Sequence, residues 1–229
     1  MIEFLFLDLD DTILDFQKAE HIAVRKAIAE AGVEPTDEIC ARYSVINKEC
    51  WERLERGEWE REEVLVNRFG LLFEELGREV DKVAVARNYE RLLGIGHWYL
   101  PGAEETVKNV LFGKYRLFLA SNGTASVQKG RMTSADLYPY FEQAFVSQEI
   151  GYNKPAKEYF DACFARIPGF EKEKCLMVGD SLTSDILGGI RAGIRTVWVN
   201  PNGKTAPEGM KPDYEIKALA ELPELLEKL

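Results

Sequence analysis

Histidine and cysteine are both scarce in this chain. Among its 229 residues the only histidines are His21 and His97, and neither sits at a metal-ligand spacing. The four cysteines, Cys40, Cys50, Cys163 and Cys175, could pair, but they are scattered with no C-x-x-C, which disfavours a disulfide scaffold. Each falls in an apolar segment, so buried free thiols are expected. No apolar run approaches the length of a membrane span. The first residues are apolar but carry Glu3 and the acids from Asp8 to Asp11 without a basic leader, unlike a secretory signal. Positive charge is also in deficit. With 29 basic against 39 acidic residues the net charge is −10, and the electrostatic footprint of a nucleic-acid or anionic-membrane binder is missing. A cytoplasmic protein acting on a small molecule is expected, and any anionic substrate must be attracted locally.

What is present is ordinary globular composition, with 46% hydrophobic and 30% charged residues, enough to bury a real core. The length suits one domain carrying a substantial insertion, or two modest domains. Residues 2–7 form an apolar run broken only by Glu3 and ending in acids, which predicts a strand buried on both faces of a parallel sheet. From about Gln17 to Leu93 apolar residues recur at helical spacing, and Gly32, Gly57, Gly77 and Gly94 punctuate the stretch into four helices. Beyond a Gly- and Pro-containing crossing at 94–102, helix and strand alternate. Strands are predicted at 115–120, 143–146, 175–178, 195–199 and 214–216, and helices at 103–112, 124–135, 156–166, 184–192 and 219–229. Such alternation implies an α/β fold, a doubly wound, Rossmann-like parallel sheet with an inserted α-helical cap. The expected division is a core of residues 1–15 and 99–229 and a cap of residues 16–98.

Ligands of such sheets bind beyond the carboxyl ends of the strands. There stand Asp8, Asp10 and Thr12; Ser121, Asn122 and Gly123; Lys154 before a helix; and Gly179, Asp180 and Asp185. Acids gathered at one place cannot all stay ionised unless something neutralises them. Hard oxygen ligands suit Mg²⁺, which takes a few carboxylates plus a substrate phosphate. Lys154 adds positive charge, and Ser121 offers a hydroxyl to an oxyanion. A metal, a lysine, a hydroxyl and a carboxylate nucleophile are the parts of phosphoryl transfer through an aspartyl-phosphate.

Asp8-x-Asp10-x-Thr12, Ser121, Lys154-Pro155 and Gly179-Asp180 followed by Asp185 together resemble the four motifs of the haloacid dehalogenase superfamily of phosphohydrolases. A helical block between the first and second motifs resembles the family's C1-type cap, and the 33 positions from Ser121 to Lys154 are too few for the alternative cap. The resemblance implies that Asp8 is the nucleophile and Asp10 the general acid and base. It implies that Asp8, the backbone carbonyl of Asp10 and Asp180 hold Mg²⁺, with Asp185 close by. Ser121, Asn122 and Lys154 would bind the phosphoryl group. The strings Ser121-Asn122-Gly123, Gln128 and Ser147 to Pro155 look most like the pyrimidine 5′-nucleotidase branch, whose neighbour, the N-acylneuraminate-9-phosphatase type, shares most of them.

Blander readings exist for several residues. Asp11 reads as a turn residue and Asp185 as a helix-start residue. The charged run 51–63 reads as a solvated helix face, with Trp51 and Trp59 in the cap's own core. The alternative places Phe16, Arg56 and Trp59 against a substrate base. His97 reads as a linker residue and His21 as a helix-surface residue. Among activities, 2-haloacid dehalogenation is disfavoured because that chemistry normally lacks the second acid of the first motif, present here as Asp10. Phosphosugar mutases share all four motifs. A phospho-acceptor receiver module is shorter and has no inserted helical block.

Overall fold

The computed structural model describes all residues 1–229 and divides them into two compact units, Met1–Phe16 with His97–Leu229, and Gln17–Gly96. The first unit is built on a six-stranded, all-parallel sheet of β1 (Phe4–Leu7), β2 (Arg116–Ser121), β3 (Gln143–Val146), β4 (Cys175–Gly179), β5 (Arg195–Val199) and β6 (Tyr214–Ile216). Strand order is β3-β2-β1-β4-β5-β6, so β1 lies at the centre and the chain leaves it in both directions.

Period-two alternation shares the central strands between two apolar cores. Leu5 and Leu7 of β1, Leu117 and Leu119 of β2, and Leu176 and Val178 of β4 enter one cluster. Phe4, Phe6, Phe118, Ala120, Cys175 and Met177 enter the other. On the first face pack α5 (Ala103–Glu105), its continuation as a π-helical turn over Thr106–Leu111, and α10 (Leu222–Leu226). Met132 of α6 (Ala125–Ser134) joins that face. The second face is covered by α8 (Lys157–Phe164) and the end of α9 (Leu187–Ala192), and a short α7 (Ser147–Ile150) follows β3. Phe6 stacks on Phe118 and Phe145 at centroid distances of 5.3 and 5.8 Å, holding the three neighbouring strands together. The doubly wound sheet expected from the alternation is the fold observed, and all four cysteines are buried and free.

Four helices make up the inserted cap segment: α1 (Phe16–Glu30), α2 (Asp37–Glu55), α3 (Arg61–Glu75) and α4 (Lys82–Leu93). Their starts are capped by side chains. Thr36 accepts from the Ile39 N–H, Glu60 and Glu63 form a capping box, and Asp81 accepts from the Val83 and Ala84 N–H groups. Their ends need reversal, and Gly57 and Gly77 supply it with φ of +72° and +61°. Tyr43, Phe69 and Tyr89 form the aromatic centre of this unit. The charged run 51–63 is therefore two helix ends around a turn, not one helix. Arg53 lies over the Trp59 ring, Arg61 over Trp51, and Arg56 pairs with Glu58.

Candidate active site

Because β2 and β4 flank β1, the residues just past their carboxyl ends meet in space. Asp8 continues the ladder beyond β1, its N–H donating to the Val178 carbonyl at 2.9 Å. Its side chain is buried, and its Oδ1 accepts from Lys154 Nζ at 2.7 Å. Lys154 is itself only 1% exposed. Its three ammonium protons go to Asp8 Oδ1, Asp185 Oδ1 at 2.6 Å and the Ala120 carbonyl at 2.7 Å. Burial would strip the charge from this lysine, but the two carboxylates hold its pKa above the ordinary lysine value. The loop after β2 fastens the lysine's own backbone: Asn122 donates from Nδ2 to the Lys154 carbonyl and accepts its N–H, both at 2.8 Å.

Asp180 and Asp185 arrive from the β4 end. Ser181 caps the following turn, which is π-helical over Leu182–Ile186 and runs into α9. This turn replaces the plain helix predicted from Ser184, and it aims Asp185 inward, where Oδ2 accepts from the Ser181 N–H at 3.1 Å. Gly179 makes the room. A methyl there would lie 2.2 Å from Asp185 Oδ2. Ligand oxygens of Asp8, Asp180 and Asp185 all lie within 4.8 Å of one another. Desolvation, with Asp185 and Asp10 adding repulsion, raises Asp8 to about 8 against the opposing pull of Lys154. Asp180 is pushed well above the carboxylate range by burial, then by Asp185 and Asp8. Three carboxylates against one ammonium leave two formal negative charges uncompensated. A hard divalent cation fits this all-oxygen donor set.

Asp10 faces other partners. Its carboxylate takes Arg131 Nη1 on Oδ1 and Gln128 Nε2 on Oδ2, the latter at 2.6 Å. The same Gln128 Nε2 donates to Ser121 Oγ at 2.7 Å, and the Gly123 N–H reaches that oxygen at 3.0 Å. Ser121 Oγ thus accepts twice, and its own O–H remains the group's donor. Asp11, with φ of +55°, is a turn residue whose Oδ1 accepts from the Phe16 N–H and so starts α1.

The structure therefore brings together Asp8, Lys154, Asp180 and Asp185 as one cluster, and Asp10 with Ser121 as a second group joined through α6. Asn122 is seen fastening the loop to Lys154. Of the residues set against a substrate base in one reading, Phe16 lies beneath the Arg131 guanidinium and Trp59 beneath that of Arg53. Arg131 was not among the residues singled out from sequence, and Gln128 figured only in a family string. A signal existed. The buried face of α6 is Val127, Gln128, Arg131 and Met132, two of them polar, next to a loop already marked by Ser121.

The acid cluster and buried lysine stand beyond the central strands of a doubly wound sheet, where open α/β sheets bind their ligands. The chain matches the haloacid dehalogenase-like hydrolase family over residues 2–193, and it belongs to that family. It is 40% identical over 222 residues to YfnB of Bacillus subtilis, covering 97% of this chain and 94% of that one. A crystal structure of YfnB bound to magnesium superposes with a TM-score of 0.93, at 39% identity and 99% coverage of both chains. The pyrimidine 5′-nucleotidase PynA of Streptococcus pneumoniae is 36% identical over 226 residues, 99% of this chain and 95% of that protein. The pyrimidine 5′-nucleotidase YjjG of Escherichia coli is 30% identical over 224 residues, 98% of this chain and 97% of that protein. No helix is long and apolar enough to cross a membrane.

Proposed function

We propose that this chain is a magnesium-dependent phosphatase of small phosphorylated metabolites, with nucleoside monophosphates as its preferred substrates. The observation that carries the phosphatase reading is the buried Asp8–Lys154 pair set among the further carboxylates Asp180 and Asp185. On this reading residues 1–15 and 99–229 are the catalytic core and residues 16–98 the cap.

Lys154 occupies Asp8 Oδ1, and Asp8 Oδ2 attacks phosphorus. As that bond forms, the bond from phosphorus to the ester oxygen breaks, and the departing oxygen takes a proton from Asp10. Water then attacks the aspartyl-phosphate, passing its proton to the Asp10 carboxylate as the Asp8–phosphorus bond breaks. Ester and water become alcohol and inorganic phosphate, and both acids return to their starting state. The Ser121 hydroxyl donates to a phosphoryl oxygen, and Lys154 contributes positive charge beside Asp8. Asp8, Asp180 and the backbone carbonyl of Asp10 are the groups to hold magnesium, with Asp185 beside them. Bound magnesium supplies the positive charge that offsets these carboxylates and the phosphoryl oxygens.

The nucleotide preference is supported by the two pyrimidine 5′-nucleotidases among the relatives and by the strings around Ser121 and Lys154. A phosphate-release screen over nucleotides, sugar phosphates and phosphoglycolate, with Mg²⁺ and again with EDTA, tests it. UMP, dUMP or TMP should exceed glucose 6-phosphate in kcat/KM by at least about tenfold. A sugar phosphate at the top overturns the substrate, release that survives EDTA overturns the metal, and no release from any monoester overturns the phosphatase.

A further inference from the structure

We propose that Gln128 and Arg131 of α6 are positioning residues, a two-point clamp that holds the proton-transfer carboxylate of Asp10 in fixed relation to the phosphate-binding hydroxyl of Ser121. This rests on the phosphatase reading above and adds residues to it. Spaced three apart, the two side chains leave the same face of α6 and are both buried, at 1% and 0% exposure. Arg131 takes one oxygen of Asp10, Gln128 the other. One amide nitrogen, Gln128 Nε2, therefore bridges Asp10 Oδ2 and Ser121 Oγ. The carboxylate accepts only from the nitrogen side, which sets the amide's orientation. That orientation leaves Gln128 Oε1 buried with no hydrogen-bond donor. A merely structural glutamine would be expected to satisfy its own carbonyl before bridging two other residues. Gly123 is shaped to the same end: a methyl there would lie 2.3 Å from Gln128 Nε2.

The division of labour predicts two different kinetic signatures. Arg131 touches Asp10 and not Ser121, so its loss should impair protonation of the leaving group while leaving phosphate binding intact. Gln128 touches both, so its loss should do both. The probes are p-nitrophenyl phosphate, whose leaving group departs without a proton, and UMP or whichever alkyl ester the wild type hydrolyses fastest. Turnover of both probes by the wild type establishes the phosphatase reading independently of any variant.

Arg131→Met should lower kcat on the alkyl ester by about 30-fold or more and on p-nitrophenyl phosphate by under about threefold, with KM within about twofold. Arg131→Lys should recover most of the loss. On an Asp10→Asn background Arg131→Met should add less than about twofold, because the two act through one carboxylate. Gln128→Met should show the same leaving-group selectivity and also raise KM for both probes several-fold, to about fivefold. Equal losses on both probes, or a full additive loss on the Asp10→Asn background, overturns the clamp. If Arg131→Met does not fold, Gly123→Ala decides: its methyl displaces the Gln128 amide, and wild-type behaviour on both probes overturns the proposal.

Discussion

Each unit of this molecule buries a cluster of charged side chains, and the two clusters are built on opposite principles. In the cap segment Glu20 accepts from Ser44 and Asn47, both at 2.6 Å, and Asn47 in turn accepts from Arg68 at 3.0 Å. Arg68 also donates to the Leu65 carbonyl and lies over the Tyr89 ring at 4.7 Å. This network sets each charge against an opposite one: Glu20 is linked to Arg68 through Asn47, and Glu90 also favours the charged Arg68. The core cluster does not. Asp8 and Asp185 share the single ammonium of Lys154 with Asp180 close by, and Asp8 and Asp180 are driven toward their protonated forms. A balanced buried network specifies how helices pack, whereas an unbalanced one is a site held ready for a charged ligand.

The largest effect should come from the unbalanced cluster. Asp8→Asn removes the nucleophile of the proposed reaction, and turnover should fall by at least about 10⁴-fold in a phosphate-release assay with the fold retained. The same change sharpens the comparison through pH. Burial raises Asp8 to about 8 in the folded, metal-free chain, above its ordinary 3.8, so folding favours its protonated form. The stability it contributes is complete below pH 4 and is lost as pH rises toward 8. Asp8→Asn should therefore stabilise the EDTA-treated protein more at pH 8 than at pH 5, read as Tm. Added Mg²⁺ should raise the wild-type Tm at pH 8 and not that of the variant to the same extent.

Next in size, Asp10→Asn should cost about 10²–10⁴-fold on alkyl phosphates and much less on p-nitrophenyl phosphate. Equal losses would mean that Asp10 acts through something other than leaving-group protonation. In the cap, Arg68→Leu removes the donor to the buried Asn47 Oδ1 and should cost about 1–3 kcal/mol in urea unfolding. The ratio of kcat on the two ester types should stay at the wild-type value. A changed ratio would erase the distinction between the two clusters. The smallest effect is expected from Gly179→Ala. The added methyl displaces Asp185, costing about 1–3 kcal/mol of stability and weakening Mg²⁺ activation in a metal titration.

Sequence alone determined a good deal here, and for identifiable reasons. β1 was legible because four consecutive apolar residues followed by acids can only be satisfied by burial on both faces. The bounds of β3, β5 and β6 were legible because polar or turn residues stop each apolar run. The placement of Asp8, Asp10, Ser121 and Asp180 at or just beyond strand ends was legible because the apolar runs stop at them. Tertiary structure alone decided the partnerships. Arg131 reaches Asp10 across 121 positions of chain, and Gln128 reaches it across 118. An arginine on a helix reads locally as a solvated charge, and although Val127 and Met132 mark an inward face of α6, neither shows that Asp10 is what Arg131 meets there. That the Asn122 side chain fastens the Lys154 backbone 32 residues away was likewise decided by the fold. Asp185 turns inward only because a π-helical turn forms where propensity predicts an ordinary helix start. Local sequence sets which groups exist and which element carries them. Which acid meets which base depends on the packing of elements far apart in the chain, and hydrogen-bond partners at that range leave no local trace.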